Sequence, residues 1–381
     1  MTVPASGLVR YGEATLSDVV PSVLSSHGLT GPNPLDLSPT DRTVILLIDG
    51  LGWNLLQAHA EDAPFMSSLA GRSLTAGFPT TTAASLASLG TGLPSGQHGI
   101  TGYTSRLPEL AEPINWLAWQ GSYSGKNMLD VVAPEQAQPH ETAFERGVRA
   151  GLNVTVASAH QFRTSGLTRA IWRGAEYRPT YTAADTATVV AATMAKPGLV
   201  YCYNSELDLI GHGRGCGSET WRLQLTLIDR AVELLAERLP TGTRLLVTGD
   251  HGMVDVPDPA KIDYDSEPIL SAGVALIAGE ARARYLHVAP EDLDRVRQNW
   301  IDRLGPTFAV VTRDEAIERG WFCPDVTPTA RERIGDLLVL ALGDGAVVRR
   351  RAEQRLARLT GHHGSLTPDE LLVPLLQLGL T

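Results

Sequence analysis

The chain has 381 residues, enough for one large or two ordinary domains with a sizeable core. Its formal charge of −10 excludes the basic face that nucleic-acid binding needs, while an anionic substrate stays open to it if metal ions supply local positive charge. Three cysteines, Cys202, Cys216 and Cys323, form no paired framework and no CxxC spacing, which points to free thiols in a reducing compartment.

The opening stretch MTVPASGLVRYGEATLSDVV has no basic region leading into an apolar run. No later segment approaches the ~20 apolar residues that span a bilayer. The expectation is a soluble, cytoplasmic protein without membrane association. TVILLIDG, Thr43 to Gly50, is a short branched-aliphatic run closing on Asp-Gly and predicts a buried parallel strand. A helix is expected over Asn54 to Ala70. Further strands are expected in NVTVASA (Asn153 to Ala159), GLVYCYN (Gly198 to Asn204) and RLLVTGD (Arg244 to Asp250). Between the last two, Leu223, Leu227, Val232 and Leu235 recur at helical spacing. Repeated strand–helix–strand units imply an α/β fold whose mostly parallel sheet is flanked by helices on both faces, with ligands at the carboxyl ends of its strands. Residues 257–333 read differently. Short strands (VALIAGEARARYLHV, TFAVVT) and a helix over Glu291 to Leu304 suggest a small inserted α+β cap. Residues 1–256 and 334–381 then form the core, to which DLLVLAL returns as a strand.

Four islands place Asp or His where a strand gives way to a loop. They are ILLIDGLG with Asp49, ELDLIGHGRG with Asp208 and His212, VTGDHGM with Asp250 and His251, and TGHHGS with His362 and His363. A lone Asp-Gly is usually a turn and a lone histidine usually a satisfied structural side chain. Four such islands at strand ends of one sheet are different. Three carboxylates and three imidazoles suffice for two zinc sites, and mixed Asp/His ligation also accepts manganese or iron. Two ions about 4 Å apart clamp the entering and leaving oxygens of a phosphoryl transfer.

Taken in order, ILLIDGLG, FPTTTAASLASLGTGLPSGQHGI, SELDLIGHGRG, TGDHGM and GHHGSLTPDELLVPL resemble the alkaline phosphatase superfamily, and within it the nucleotide pyrophosphatase/phosphodiesterase branch. The resemblance runs from about Thr43 to Leu376, the cap excepted, and implies an alkaline phosphatase-like core. It further implies that Asp49, Asp250 and His251 hold one zinc together with the nucleophile, and that Asp208, His212 and His363 hold the other. His363 is favoured over His362 because only it precedes glycine. His98, in the HGI triplet, is either an outer partner of a metal-bound group or a packed loop histidine.

In the family a Thr-Gly pair closes the helix that the nucleophile opens, and counting back nine residues from Thr91 reaches Thr82. Thr82 is then expected as helix N-cap, with zinc coordination stabilising its alkoxide and the Ala83 backbone N–H holding a phosphoryl oxygen. Thr80 and Thr81 are expected in the turn or the neighbouring wall. Two departures bear on the substrate. Ala83 and Ala84 stand where diesterases of the branch often carry other residues, and Tyr103 occupies the position of an asparagine that binds a phosphoryl oxygen. A tyrosine hydroxyl can donate the same hydrogen bond. Arg106 and Arg163 stay open as phosphate contacts. The implied function is hydrolysis of a small phosphate diester or nucleotide, with a monoesterase using the same site, or a non-catalytic metal-binding scaffold, as alternatives.

Overall fold

The computed structural model describes residues 4–379. Its two main sheets use β1 (Arg42–Ile48), β2 (Ala70–Thr75), β3 (Val154–Ala159), β4 (Glu176–Thr180), β5 (Gly198–Asn204), β6 (Arg244–Thr248), β7 (Val274–Glu280), β8 (Ala283–Val288), β9 (Phe308–Thr312), β10 (Leu337–Ala341) and β11 (Leu372–Leu378). In space the large sheet reads β2-β11-β6-β1-β5-β3-β4. Strands β1, β3, β4, β5 and β6 run parallel, while β11 is antiparallel to both its neighbours. The helices that matter for the site are α1 (Thr82–Thr91), α2 (Glu206–Arg214), α3 (Glu219–Ala236) and α4 (Leu293–Leu304). Among the described residues, no helix is long and apolar enough to cross a membrane. All three cysteines are free.

Strand β1 is apolar on both sides because helices cover both faces of the sheet. Val44, Leu46 and Ile48 enter one core with Trp221, Leu225 and Val232 of α3. Ile45 and Leu47 enter the other with Leu86 and Leu89 of α1. The α/β architecture with a mostly parallel sheet is the one expected from the sequence.

Three local expectations are corrected. The helix expected over Asn54 to Ala70 is broken into Trp53–Ala58, a 3-10 turn at Ala60–Asp62 and Pro64–Ser68. Pro64 opens the last piece, and its ring cannot continue a helix from before it. Chain from Ala70 onward is instead the edge strand β2. In α3 the buried stripe is Trp221, Leu225, Ile228, Val232 and Leu235. Leu223 and Leu227 lie on the opposite side, 60% and 58% exposed. Finally, DLLVLAL does not return to the large sheet. It is β10, an inner strand of the small antiparallel sheet β7-β8-β10-β9. The small sheet therefore reaches past the boundary drawn at 333.

Helix α1 is buried along its whole length. Small residues allow this: a methyl group on Gly90 would stand 2.3 Å from the Ile171 carbonyl oxygen. Gly90→Ala is accordingly expected to destabilise the protein by about 1–3 kcal/mol, although alanine has the higher helix propensity. A urea midpoint at or above that of the wild type would contradict this packing.

Candidate active site

The parallel strands deliver the acidic residues from their carboxyl ends. Asp49 follows β1, with its amide bonded to the Asn204 carbonyl at the end of β5 (2.8 Å). Asp250 follows β6 and accepts from the amides of Gly50 and His251, both at 3.0 Å. Asp208 and His212 stand one turn apart on α2, 3.3 Å from Oδ2 to Nε2.

Thr81, not Thr82, occupies the N-cap of α1. Its backbone is extended (φ −139°, ψ 144°), and Thr82 is the first helical residue. Thr82 therefore has no capping duty. Its hydroxyl lies 3.1 Å from His251 Nε2 and 3.5 Å from Asp49 Oδ1. At the other end Gly92 terminates the helix at φ +70°, a left-handed position suited to glycine.

All three site imidazoles are set the same way. Nδ1 of His212 donates to Gly361 (2.7 Å), that of His251 to Gly252 (3.0 Å) and that of His363 to Thr80 (2.8 Å). A carbonyl can only accept, so each Nδ1 carries a proton and Nε2 is the ring nitrogen left to face the site. The His251 and His363 rings stack at 3.6 Å, and His212 lies 5.2 Å from His363. His362 lines the same pocket but belongs to neither ligand group below, and its Nε2 donates to the Leu359 carbonyl at 3.1 Å.

Two groups of potential ligand atoms result, each within 4.8 Å mutually: Asp208 with His212 and His363, and Asp49 with Asp208 and His251. Asp208 belongs to both. Asp250, grouped with Asp49 and His251 in the sequence reading, spends Oδ1 on backbone amides, and its Oδ2 sits 3.4 Å from His251 Nε2. The residues fit divalent cations. Asp208 Oδ1 and Asp250 Oδ2 are buried with no hydrogen-bond partner. Burial, followed by the charges of Asp250 and Asp208, holds the Asp49 carboxyl well above its usual range. Burial, then His251 and His212, holds His363 well below its own, so it stays neutral. Imidazoles beside crowded carboxylates are a donor set that suits a divalent cation.

The other named residues divide clearly. Tyr103 lines a pocket of about 320 Å³ with Asp49, Thr82, Asp208, His212 and His363. Its hydroxyl accepts from Asn115 Nδ2 (2.7 Å), whose Oδ1 is fixed by the Ala118 amide (3.0 Å). The Tyr103 hydroxyl hydrogen is thus free for the pocket. Ala83 is fully buried and does not line the pocket, so only its first-turn N–H is on offer. Arg106 and Arg163 do not line it either. His98 bonds Ser88 Oγ at 3.1 Å beneath α1, and burial takes its pKa down to about 3. It is a packed structural histidine at the end of the one-turn helix Ser95–His98.

Sequence reasoning missed two side chains, Tyr203 and Glu280. The Tyr203 hydroxyl donates to Asp49 Oδ2. Tyr203 stands opposite Leu47 in the β1–β5 register, two residues before Asp49, and that pairing was its signal. Thr81 and Glu280 also line the pocket. Glu280 Oε2 lies 3.4 Å from His363 Nδ1, and burial raises its carboxyl well above the usual range.

Solved structures share this fold. Murine ectonucleotide pyrophosphatase/phosphodiesterase 5 superposes with a TM-score of 0.67 at 17% identity, covering 89% of this chain and 88% of that one. Phosphonoacetate hydrolase from Sinorhizobium meliloti 1021, in complex with phosphonoformate, gives 0.63 at 18% identity, covering 89% and 90%. No curated protein sequence matches the chain. The fold is that of the alkaline phosphatase superfamily. Within it, residues 43–366 match the type I phosphodiesterase/nucleotide pyrophosphatase model, and the chain belongs to that family of metal-dependent phosphoric ester hydrolases.

Proposed function

We propose that the chain is a two-zinc phosphodiesterase with Thr82 as its nucleophile. The observation that carries this reading is the placement of the Thr82 hydroxyl at the start of α1, against His251 Nε2 and Asp49 Oδ1. Asp49, Asp250 and His251 would hold one cation beside it, and Asp208, His212 and His363 the other, with Asp208 close to both. When bound, the cations lower the pKa of the attacking hydroxyl and offset charge on the entering and leaving oxygens.

The chain's own groups do the rest. Thr82 Oγ1 attacks phosphorus in line and displaces the alcohol, and water then cleaves the phosphothreonine. The Ala83 N–H and the Tyr103 hydroxyl donate to non-bridging oxygens, with Asn115 holding Tyr103 in its donor state. The three backbone carbonyls orient the imidazoles before substrate arrives. Two neighbours support the reading: a murine homologue was captured with AMP in an inactive threonine-to-alanine form, and the bacterial hydrolase acts on a phosphonate.

Turnover of bis(p-nitrophenyl) phosphate and p-nitrophenyl phosphate at equal concentration tests the diester assignment. The diester is expected to have a kcat/KM at least about tenfold higher, and parity or reversal would favour a monoesterase. Tyr103→Phe should lower kcat by about 10²- to 10³-fold, in the range of a lost oxyanion donor. A change under about twofold would remove Tyr103 from the site.

A further inference from the structure

The turn between β7 and β8 carries Arg282 out of the small sheet to Glu370, seven residues beyond His363. Both side chains are fully buried. The arginine grips the two carboxylate oxygens through Nε (2.7 Å) and Nη2 (2.8 Å), and its Nη1 donates to the carbonyls of Gly343 (2.8 Å) and Gly345 (2.7 Å). The carboxylate accepts two further bonds, from the Ser365 amide at 3.0 Å and the Thr367 hydroxyl at 2.6 Å. Four charge-assisted bonds thus fill its lone pairs and fix its direction.

From Glu370 the hydrogen bonds run to two of the three site imidazoles. Its backbone carbonyl accepts from the Gly252 amide at 2.8 Å, and the Gly252 carbonyl accepts from His251 Nδ1 at 3.0 Å. A methyl group on Gly252 would stand 1.9 Å from the Asp369 carbonyl oxygen, so this contact has no slack. On the other side Ser365, whose amide the carboxylate holds, takes the Thr80 hydroxyl on its carbonyl at 2.7 Å. The Thr80 carbonyl in turn accepts from His363 Nδ1 at 2.8 Å. His212 is held separately, because its partner Gly361 is placed by strand pairing with Asp255. His251 and His363 belong to different ligand groups.

We infer that Glu370 and Arg282 are positioning residues of the metal centre. They form one tether that keeps His251 and His363, one from each ligand group, in their 3.6 Å stack, and the small sheet supplies its arginine. The inference rests on the two-cation reading above. Neither residue lines the pocket, so both act through the peptide groups that orient the imidazoles. Well-packed apolar side chains could fill the same space at similar stability, but they offer no acceptor to the Ser365 amide. What the ion pair supplies is therefore geometry.

Zinc titration of the metal-free full chain against a fluorescent chelator reads both affinities without turnover, beside a thermal melt of each variant. The wild type is expected to take up two ions. Glu370→Gln should weaken both by about 10- to 100-fold, the range for a lost outer partner of a metal ligand. It should also melt early, because Arg282 keeps a buried charge. In the double variant Arg282→Met with Glu370→Leu the two charges leave together, so melting should recover while zinc affinity stays low. Val296→Ala, in a core cluster of the small sheet that holds no site residue, should do the reverse, melting early with both affinities unchanged. Affinities within about twofold of the wild type in either Glu370 variant, weakening of one ion alone, or an equal loss in Val296→Ala overturns the tether and leaves the metal centre standing. A wild type that binds no zinc overturns both.

Discussion

Thr82→Ala is expected to reduce diester turnover by roughly 10³-fold or more while the protein keeps its metal and its fold. The size follows from removing the atom that would form the new bond. The retained fold follows from position: Thr82 is the first helical residue of α1 and caps nothing. The neighbouring threonines make the test sharp. Thr80 donates to the Ser365 carbonyl at 2.7 Å, accepts from the Gly364 amide at 3.1 Å, and receives the His363 Nδ1 proton on its own carbonyl. Thr80→Ala should therefore cost about 1–3 kcal/mol of stability and weaken metal binding. Two of the three adjacent hydroxyls thus have separate readouts: thermal melting for Thr80 and the chemical step for Thr82. Substantial metal-dependent turnover by Thr82→Ala would end the nucleophile assignment.

The parts of this protein that were legible in its sequence are those set by local pattern. Strands such as Arg42–Ile48 and Gly198–Asn204 are continuous apolar runs because both faces of the sheet are covered, and β1, β5 and β6 each lead into a segment that carries Asp49, Asp208 or Asp250. The Asp and His islands could be found because the ends of parallel strands converge on one edge. What failed depended on information that no single window holds. Leu223/Leu227 and Leu225/Ile228 both fit a helical period in α3, and the bulk of Trp221 against the sheet decides between them. The strand Leu337–Ala341 is equally apolar wherever it is placed, and only its pairing with β8 and β9 assigns it to the small sheet. The helix register slipped by one residue because three consecutive threonines offer three equivalent caps. Glu280 carried no signal at all: it arrives from a hairpin far along the chain, and its relation to Gly364 exists only in space. That relation does account for the glycine after His363, since Gly364 sits at φ +127° under the Glu280 side chain.

Removing the metal should separate function from stability in opposite directions at Asp49. Chelation is expected to abolish turnover, and zinc should restore it with about two ions bound per chain, as two ligand groups require. Asp208→Asn should lose both ions together, because Asp208 belongs to both groups. For Asp49 the sign of the stability effect reverses with metal. In the metal-free protein its carboxyl is held well above the usual range by burial and by Asp250 and Asp208. The folded state thus binds this proton more tightly than the unfolded state does. That contribution is fully present below the ordinary carboxylate pKa of about 4 and is lost as pH rises through the raised folded value. At neutral pH the ionised group is a burden on folding. Asp49→Asn removes the charge and keeps the shape, so the metal-free variant should melt above the metal-free wild type at neutral pH. The gain is about 1 °C per kcal/mol relieved for a chain of this length, and the difference should shrink as pH falls toward about 4. With zinc the order should invert, since the wild type gains ligand-linked stability that the variant has lost. A variant that melts below the wild type both with and without metal would show that Asp49 is held by its hydrogen bond from Tyr203 rather than strained by its neighbours. The acid cluster would then be a stable feature of the empty fold, not a site whose strain a cation relieves.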